Sequence, residues 1–367
     1  MSGKYQKLAQ LLEEKIRSGE YAPGTFLPSE RELGETSGFS RVTVRTGLNL
    51  LTQKKIIEAI PGLGYQITGP GVKKHRKTGL VGGVFAGATE VPSSAFYYVP
   101  QVLSKECSRI LEQEDYHLLY ADSEDNMERE RQCVTRMLDH GVDGLLVMGT
   151  FNNGSFRYSG HPEGNSRFFL DLYRSGIPVV LMDRPLAGHG VPCVCNDDVR
   201  GGAMQTEYFI GRGFRRIIFF DVINDRLQEL RYQGYCEAMR RYGLTPCHVA
   251  PSDFANLPDW QRPQEQHRRE VEALLPRLTE DTALICSIFI IFALEERFRT
   301  PEYNGPRVEW GGYDIPARNM ALPCSPYPYM ERPIKEIGIK AAQKMLRMLA
   351  GEETAGTEDF LPPALLF

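Results

Sequence analysis

The chain has 367 residues, 42% apolar and 25% charged, with a formal net charge of -4, a composition suited to a globular protein of two or three domains. Its polar N-terminus, MSGKYQKLAQLLEEK, does not read as a secretory signal, and the longest apolar run, Leu284 to Leu294, falls short of the about 20 residues a bilayer requires. Eight cysteines without a CxxC pair fit reduced thiols in a cytoplasmic protein rather than a disulfide framework or a zinc site, and no cofactor is expected.

The charge is unevenly spread. Residues 1–78 carry a net +6 and the remainder -10, so a basic module precedes an acidic body and only the first part is expected to approach a polyanion. In the basic part, Tyr5, Leu8, Leu12 and Ile16 recur at helical spacing and predict a helix over Lys4 to Arg17, ended by Ser18-Gly19. Ser29 with Glu32 forms a capping box that starts a second helix, which Gly38 breaks. Ser40 is placed to cap a third helix with Val44, Leu48 and Leu51 as its buried stripe. Helix, tight turn, helix is the helix-turn-helix arrangement, and its second member presents Arg41, Thr43 and Arg45 from the end that enters a major groove. Arginine suits that place because its planar fork matches guanine or phosphate in two hydrogen bonds. The segment IIEAIPGLGYQIT then reads as a hairpin whose tip can reach the minor groove.

The order LPSEREL, SRVTVR, GLGY, spread over Tyr5 to Thr68, resembles the winged helix-turn-helix of the gluconate-repressor (GntR) family of bacterial regulators. The resemblance implies DNA contacts by Arg31, Ser40, Arg41, Thr43 and Arg45, with wing glycines Gly62 and Gly64 close to the DNA backbone. Two departures stand out. Gly47 occupies a recognition-helix position where alanine is usual, at about 1 kcal/mol of helix propensity. Ala59, Ile60, Pro61 and Leu63 replace polar or basic wing residues, so affinity should rest mainly on the helix. A basic connector, GPGVKKHRK, follows, and the domains are expected at 1–70, 71–78 and 79–367.

From Thr78 short apolar runs alternate with amphipathic stretches. GLVGGVF, YHLLYA, GLLVMG, PVVLMD, RIIFFDV and ALICSIFII read as buried parallel strands, with Pro100 to Glu114 and Asn126 to His140 among the helices between them. This predicts a doubly wound α/β fold, divided into two lobes with a cleft at the carboxyl ends of the strands. Polar or aromatic groups stand at those ends: Phe96 and Tyr97 after the first strand, Asp122, Thr150, Asp183-Arg184, Arg231 and Asp314. Carboxylates, arginine and rings together suit a polyhydroxylated ligand, although each residue alone also fits a structural cap.

The stretches AFYYVPQVL, HGVDGLLVM, IPVVLMDRPL, GFRRIIFFD, LRYQGYCEAM and GGYD, in this order over Gly79 to Ala350, resemble the sensor domain of the lactose-repressor family, which has the periplasmic-binding-protein fold. The resemblance implies ligand contacts by Phe96, Tyr97, Asp183, Arg231 and Asp314. Phe289-Ile290 stands where that family has Asn-Asp, which places Phe289 in the pocket and makes it less polar there. Asn196-Asp197-Asp198 reads as hinge. The whole resembles the arabinose-type branch of the gluconate-repressor family: a homodimeric regulator of palindromic operator DNA governed by a small effector, a sugar by resemblance, with a nucleoside-like effector or a decayed pocket as alternatives. No membrane partner is expected. An enzyme is not expected either, because GxSxG, HExxH and phosphate-loop motifs are absent.

Overall fold

The computed structural model describes residues 4–22, 24–60, 64–68, 78–87, 95–150, 164–184, 186, 190–221, 223, 226–250, 264–287, 290–313, 327–352 and 357–367, with residues 95–98 as backbone only. Gly62, Phe289, Asp314 and the side chains of Phe96 and Tyr97 therefore lie outside what it describes.

The N-terminal unit comprises α1 (Lys4–Arg17), α2 (Glu30–Ser37), α3 (Arg41–Gln53), β1 (Ile57–Ile60) and β2 (Gly64–Ile67). Local chemistry sets each boundary. The Ser29 hydroxyl accepts the Glu32 N–H at 3.3 Å while the Glu32 carboxylate accepts the Ser29 N–H at 2.8 Å, closing the capping box. Gly38 ends α2 at φ 70°, a left-handed conformation that glycine adopts without strain. The Ser40 hydroxyl then accepts the Thr43 N–H and starts α3. Val44, Leu48 and Leu51 are fully buried against Leu8 and Leu12 of α1 and Ile57 and Ile67 of the antiparallel hairpin. Gly47 joins them because α1 lies so close: a Cβ there would come 3.0 Å from the Tyr5 carbonyl oxygen.

The body is built on two six-stranded sheets among the described residues. The first contains β3 (Leu80–Phe85), β4 (His117–Asp122), β5 (Gly144–Val147), β6 (Val179–Asp183) and β7 (Cys193–Asn196). Helices α4 (Ala95–Leu111), α5 (Met127–Asp139) and α6 (Ser166–Arg174) connect them. The chain then enters the second lobe through α7 (Asp198–Gly211), β8 (Arg216–Phe220), α8 (Arg226–Arg241) and β9 (Cys247–His248). That lobe continues with α9 (Gln264–Leu274), β10 (Thr282–Cys286), α10 (Ile291–Phe298), β11 (Val308–Tyr313) and β12 (Tyr329–Glu331). Finally α11 (Ile334–Leu349) and β13 (Glu358–Leu361) return to the first lobe, and β14 (Ala364–Leu366) ends in the second.

The sheet orders are β13-β7-β6-β5-β3-β4 and β14-β12-β11-β10-β8-β9, with every pairing parallel except β12 with β14. Each sheet packs apolar residues on both faces, as parallel strands require: α4 and α11 cover one face of the first, α5 and α6 the other. The chain passes between lobes three times, after Asn196, after Glu331 and after Leu361. Two of the crossings are tied together, since the Asp197 N–H donates to the Leu361 carbonyl at 2.8 Å. In the second lobe α7 and α8 touch backbone to backbone at two glycines. A Cβ on Gly202 would overlap the Arg231 carbonyl, and one on Gly234 the Val199 carbonyl. No helix among the described residues is long and apolar enough to cross a membrane.

Candidate nucleic-acid interface and effector cleft

The first turn of α3 is exposed and cationic. The Arg41 side chain is 86% exposed and that of Arg45 64%, on the same side of the helix. One carboxylate faces both: Glu30 approaches Arg41 Nε at 3.6 Å and Arg45 Nε at 3.9 Å, and it accepts a hydrogen bond from the Tyr65 hydroxyl at 3.3 Å. Burial and the Glu30 charge raise the Tyr65 hydroxyl above its usual range. Three elements, α2, α3 and β2, thus meet at one side chain. Arg31 extends from α2 and pairs with Glu35 of the same helix. The Thr43 hydroxyl lies 2.9 Å from that of Ser40, within the helix cap. Gly64 opens β2 at φ 106°, which only glycine adopts freely.

In the first lobe the carboxyl ends of β4, β5 and β6 gather a buried polar network. Asp125 accepts the Thr150 hydroxyl at 2.6 Å and Arg184 Nη1 at 2.7 Å. Glu130, fully buried on α5, accepts the Thr150 N–H at 2.9 Å and the Asn165 amide at 2.7 Å. Burial pushes the Glu130 carboxyl up to about 8, opposed by the Asn165 and Thr150 donors. A second polar group lies at the lobe crossings. β6 ends at Asp183 in a left-handed turn, φ 63°, and its buried carboxylate receives Arg332 Nη1 at 3.0 and 3.3 Å. Arg231 donates Nε to Asp198 at 2.8 Å and lies 3.8 Å over the Tyr313 ring. Burial raises the Asp198 carboxyl, and the charges of Arg231 and Arg332 oppose the rise. The buried amide of Asn196 makes no hydrogen bond.

Residues 4–67 match the family described as bacterial regulatory proteins, gntR family, and residues 101–256 match the periplasmic binding proteins and sugar binding domain of the LacI family. The arabinose metabolism transcriptional repressor of Geobacillus stearothermophilus is 25% identical over 352 residues, spanning 94% of this chain and 91% of that protein. The maltose regulon regulatory protein MalI of Escherichia coli is 24% identical, spanning 90% and 91%. Among solved structures, a LacI-family regulatory protein from Chloroflexus aggregans superimposes with a TM-score of 0.59 at 20% identity, covering 79% of this chain and 97% of that one. The chain joins a GntR-type winged helix-turn-helix to a LacI-type sensor fold.

It is a ligand-sensing, DNA-binding regulator, and in this regulator the sequence-predicted residues fall into distinct groups. Arg41 and Arg45 come together on an exposed helix start, while Ser40 and Thr43 serve the cap and Arg31 stands apart on α2. Asp183 and Arg231 each pair with a residue beside a lobe crossing, Arg332 and Asp198 respectively, and not with each other among the ion pairs of the described residues. Asp122 accepts the backbone N–H groups of Gly87 and Glu124, so it shapes the turn after its strand. Sequence reasoning missed Glu30, Asp125, Glu130, Asn165 and Arg332. Glu30 was readable only as a first-turn acid, and the others have partners far along the chain.

Two measurements check these assignments. Glu30→Gln is expected to change stability by less than about 1 kcal/mol, because exposed ion pairs contribute little. It should tighten binding to an unrelated duplex at low salt by removing a charge beside two arginines, while lowering the operator-to-unrelated ratio by freeing their geometry. Fluorescence anisotropy on the two duplexes reads both effects. For Glu130 the native carboxyl holds its proton to about 8, above the ordinary value of 4.5 that applies to the unfolded chain. The native state therefore binds more protons in that interval, and the stability this group contributes below it is lost as pH rises through it. Glu130→Gln should flatten the decline of Tm between about pH 5 and about pH 8, whatever its effect on the absolute Tm.

Proposed function

We propose that this regulator is a cytoplasmic repressor that binds a palindromic operator as a homodimer and is governed by a sugar held between the lobes of residues 79–367. The observation that carries the reading is the pair of exposed guanidiniums, Arg41 and Arg45, at the capped start of α3. Residues 1–70 present that helix, with Ser40 and Thr43 in its cap, and the DNA backbone is contacted by Arg31 and the wing glycines Gly62 and Gly64. A two-fold assembly sets two such helices on half-sites about one DNA turn apart. The effector is bound by Phe96, Tyr97, Asp183, Arg231, Phe289 and Asp314, and its binding changes lobe closure and so the spacing of the two helices. A coupling of about 1–3 kcal/mol is enough to change DNA affinity about 5- to 150-fold. Its long relatives are named as transcriptional regulators of arabinose metabolism and the maltose regulon, which supports a sugar effector and a non-enzymatic role.

A gel-shift titration with arabinose, maltose and related sugars tests this: one of them must alter operator affinity. One observation favours a second reading, in which the cleft no longer takes an effector. Asp183 and Arg231 are both engaged by internal partners, Arg332 and Asp198. A thermal-shift panel of sugars and nucleosides separates the two, because a specific ligand raises Tm by mass action and a vacant scaffold shows no rise.

A further inference from the structure

We infer that Val42 reads the 5-methyl group of a thymine in the operator. The inference rests on the DNA-binding reading of α3 and adds a base-specific role to a residue that carries no charge. Val42 is the second residue of α3 and is 76% exposed, the highest value among the large apolar side chains of the described residues. It takes no part in the apolar core of the winged helix. On the helical period it shares a face with Thr46, Asn49 and Gln53, all exposed and directly opposite the buried stripe of Val44, Leu48 and Leu51. That face is otherwise polar. The Thr46 hydroxyl is turned back onto the Val42 carbonyl at 2.8 Å, so it is engaged with its own helix and the valine methyl groups stand exposed beside it.

The neighbours define what Val42 meets. Arg41 and Arg45 stand to one side of it with exposed guanidiniums suited to phosphate or guanine, so a duplex engaging them from the first turns of α3 comes against the valine as well. Valine can neither donate nor accept a hydrogen bond. Among the groups lining a major groove, the thymine methyl is the apolar one, and contact with it is the only readout this side chain offers. A β-branched side chain also has few rotamers to lose on contact, and the Ser40 cap fixes where the helix begins. The chemistry thus names one recognised feature, a pyrimidine 5-methyl next to the arginine contacts.

The test uses the full chain and an operator chosen by in vitro selection from random duplexes. Each thymine is replaced singly by uracil, which lacks only the methyl group, and binding is measured for the native chain and for Val42→Ala. One uracil position is expected to weaken the native chain about fourfold, the effect of leaving one methyl-sized group in water. The alanine variant should bind thymine and uracil there equally while matching the native chain elsewhere. Uracil discrimination that survives in Val42→Ala overturns the inference, as does a native chain indifferent to every uracil. In either case the selected duplex still binds, so the DNA-binding reading stands. A selection that enriches no duplex would instead defeat both.

Discussion

Replacing Arg231 with leucine should lower the stability of the second lobe by about 3–5 kcal/mol, because it leaves a buried carboxylate without its cation. Asp198 is wholly enclosed, its partner Arg231 nearly so, and the guanidinium also covers the Tyr313 ring. The glycine contact between α7 and α8 sets the two backbones together at Gly202 and Gly234, which lets Arg231 of α8 reach Asp198 at the start of α7. Urea unfolding followed by tryptophan fluorescence checks the effect, with Trp310 as a reporter inside the same lobe. Adding Asp198→Asn to Arg231→Leu should recover more than half the loss, since most of the penalty belongs to the orphaned charge. The outcome also bears on the effector. A variant with native stability but no sugar response would make Arg231 a ligand contact first and a structural group second.

Alanine at Arg45 should weaken operator binding by about 1–3 kcal/mol if the guanidinium reads a base, and relax selection at that base pair. If it meets a phosphate instead, affinity for all duplexes should fall together and the salt slope should drop by about 1. Arg41, more exposed and closer to the helix start, is expected to behave in the second way. The Arg41→Ala, Arg45→Ala double variant should then bind operator and unrelated DNA alike. Operator affinity unchanged in that variant would remove α3 from the interface. Folding is not at stake, because neither side chain reaches the core of the unit.

The winged helix was legible in detail because its signals are local. A capping box, a left-handed glycine and a serine cap each act within four residues, and α1 begins and ends where its periodicity places it. Five of the six apolar runs of the body also contain the expected strands, and the sixth, ALICSIFII, does so only as far as Cys286, with Ile291 already opening α10. What the sequence concealed was pairing at a distance. β12, β13 and β14 are three or four residues long and are strands only because β11, β7 and β12 lie beside them. The same holds for the cleft. Asp183 was visible as a strand-end carboxylate, but its partner Arg332 lies 149 residues away. Glu130 lay in a stretch, MERERQCVTRMLD, that looks like a solvated charged helix, yet it is fully buried and bonded to Thr150 and Asn165. An ion pair or buried acid of this kind leaves no periodic trace.

Gly47 first reads as a flaw in the recognition helix, and its packing gives it a different meaning. With no side chain there, α1 rests on the backbone of α3 at the Tyr5 carbonyl and the Leu8 side chain. A methyl group at this position would favour the helical conformation and, in the same stroke, wedge the two helices apart. The tilt at which the arginines are offered to a duplex is therefore governed from the rear of the helix, by the absence of a single methyl group.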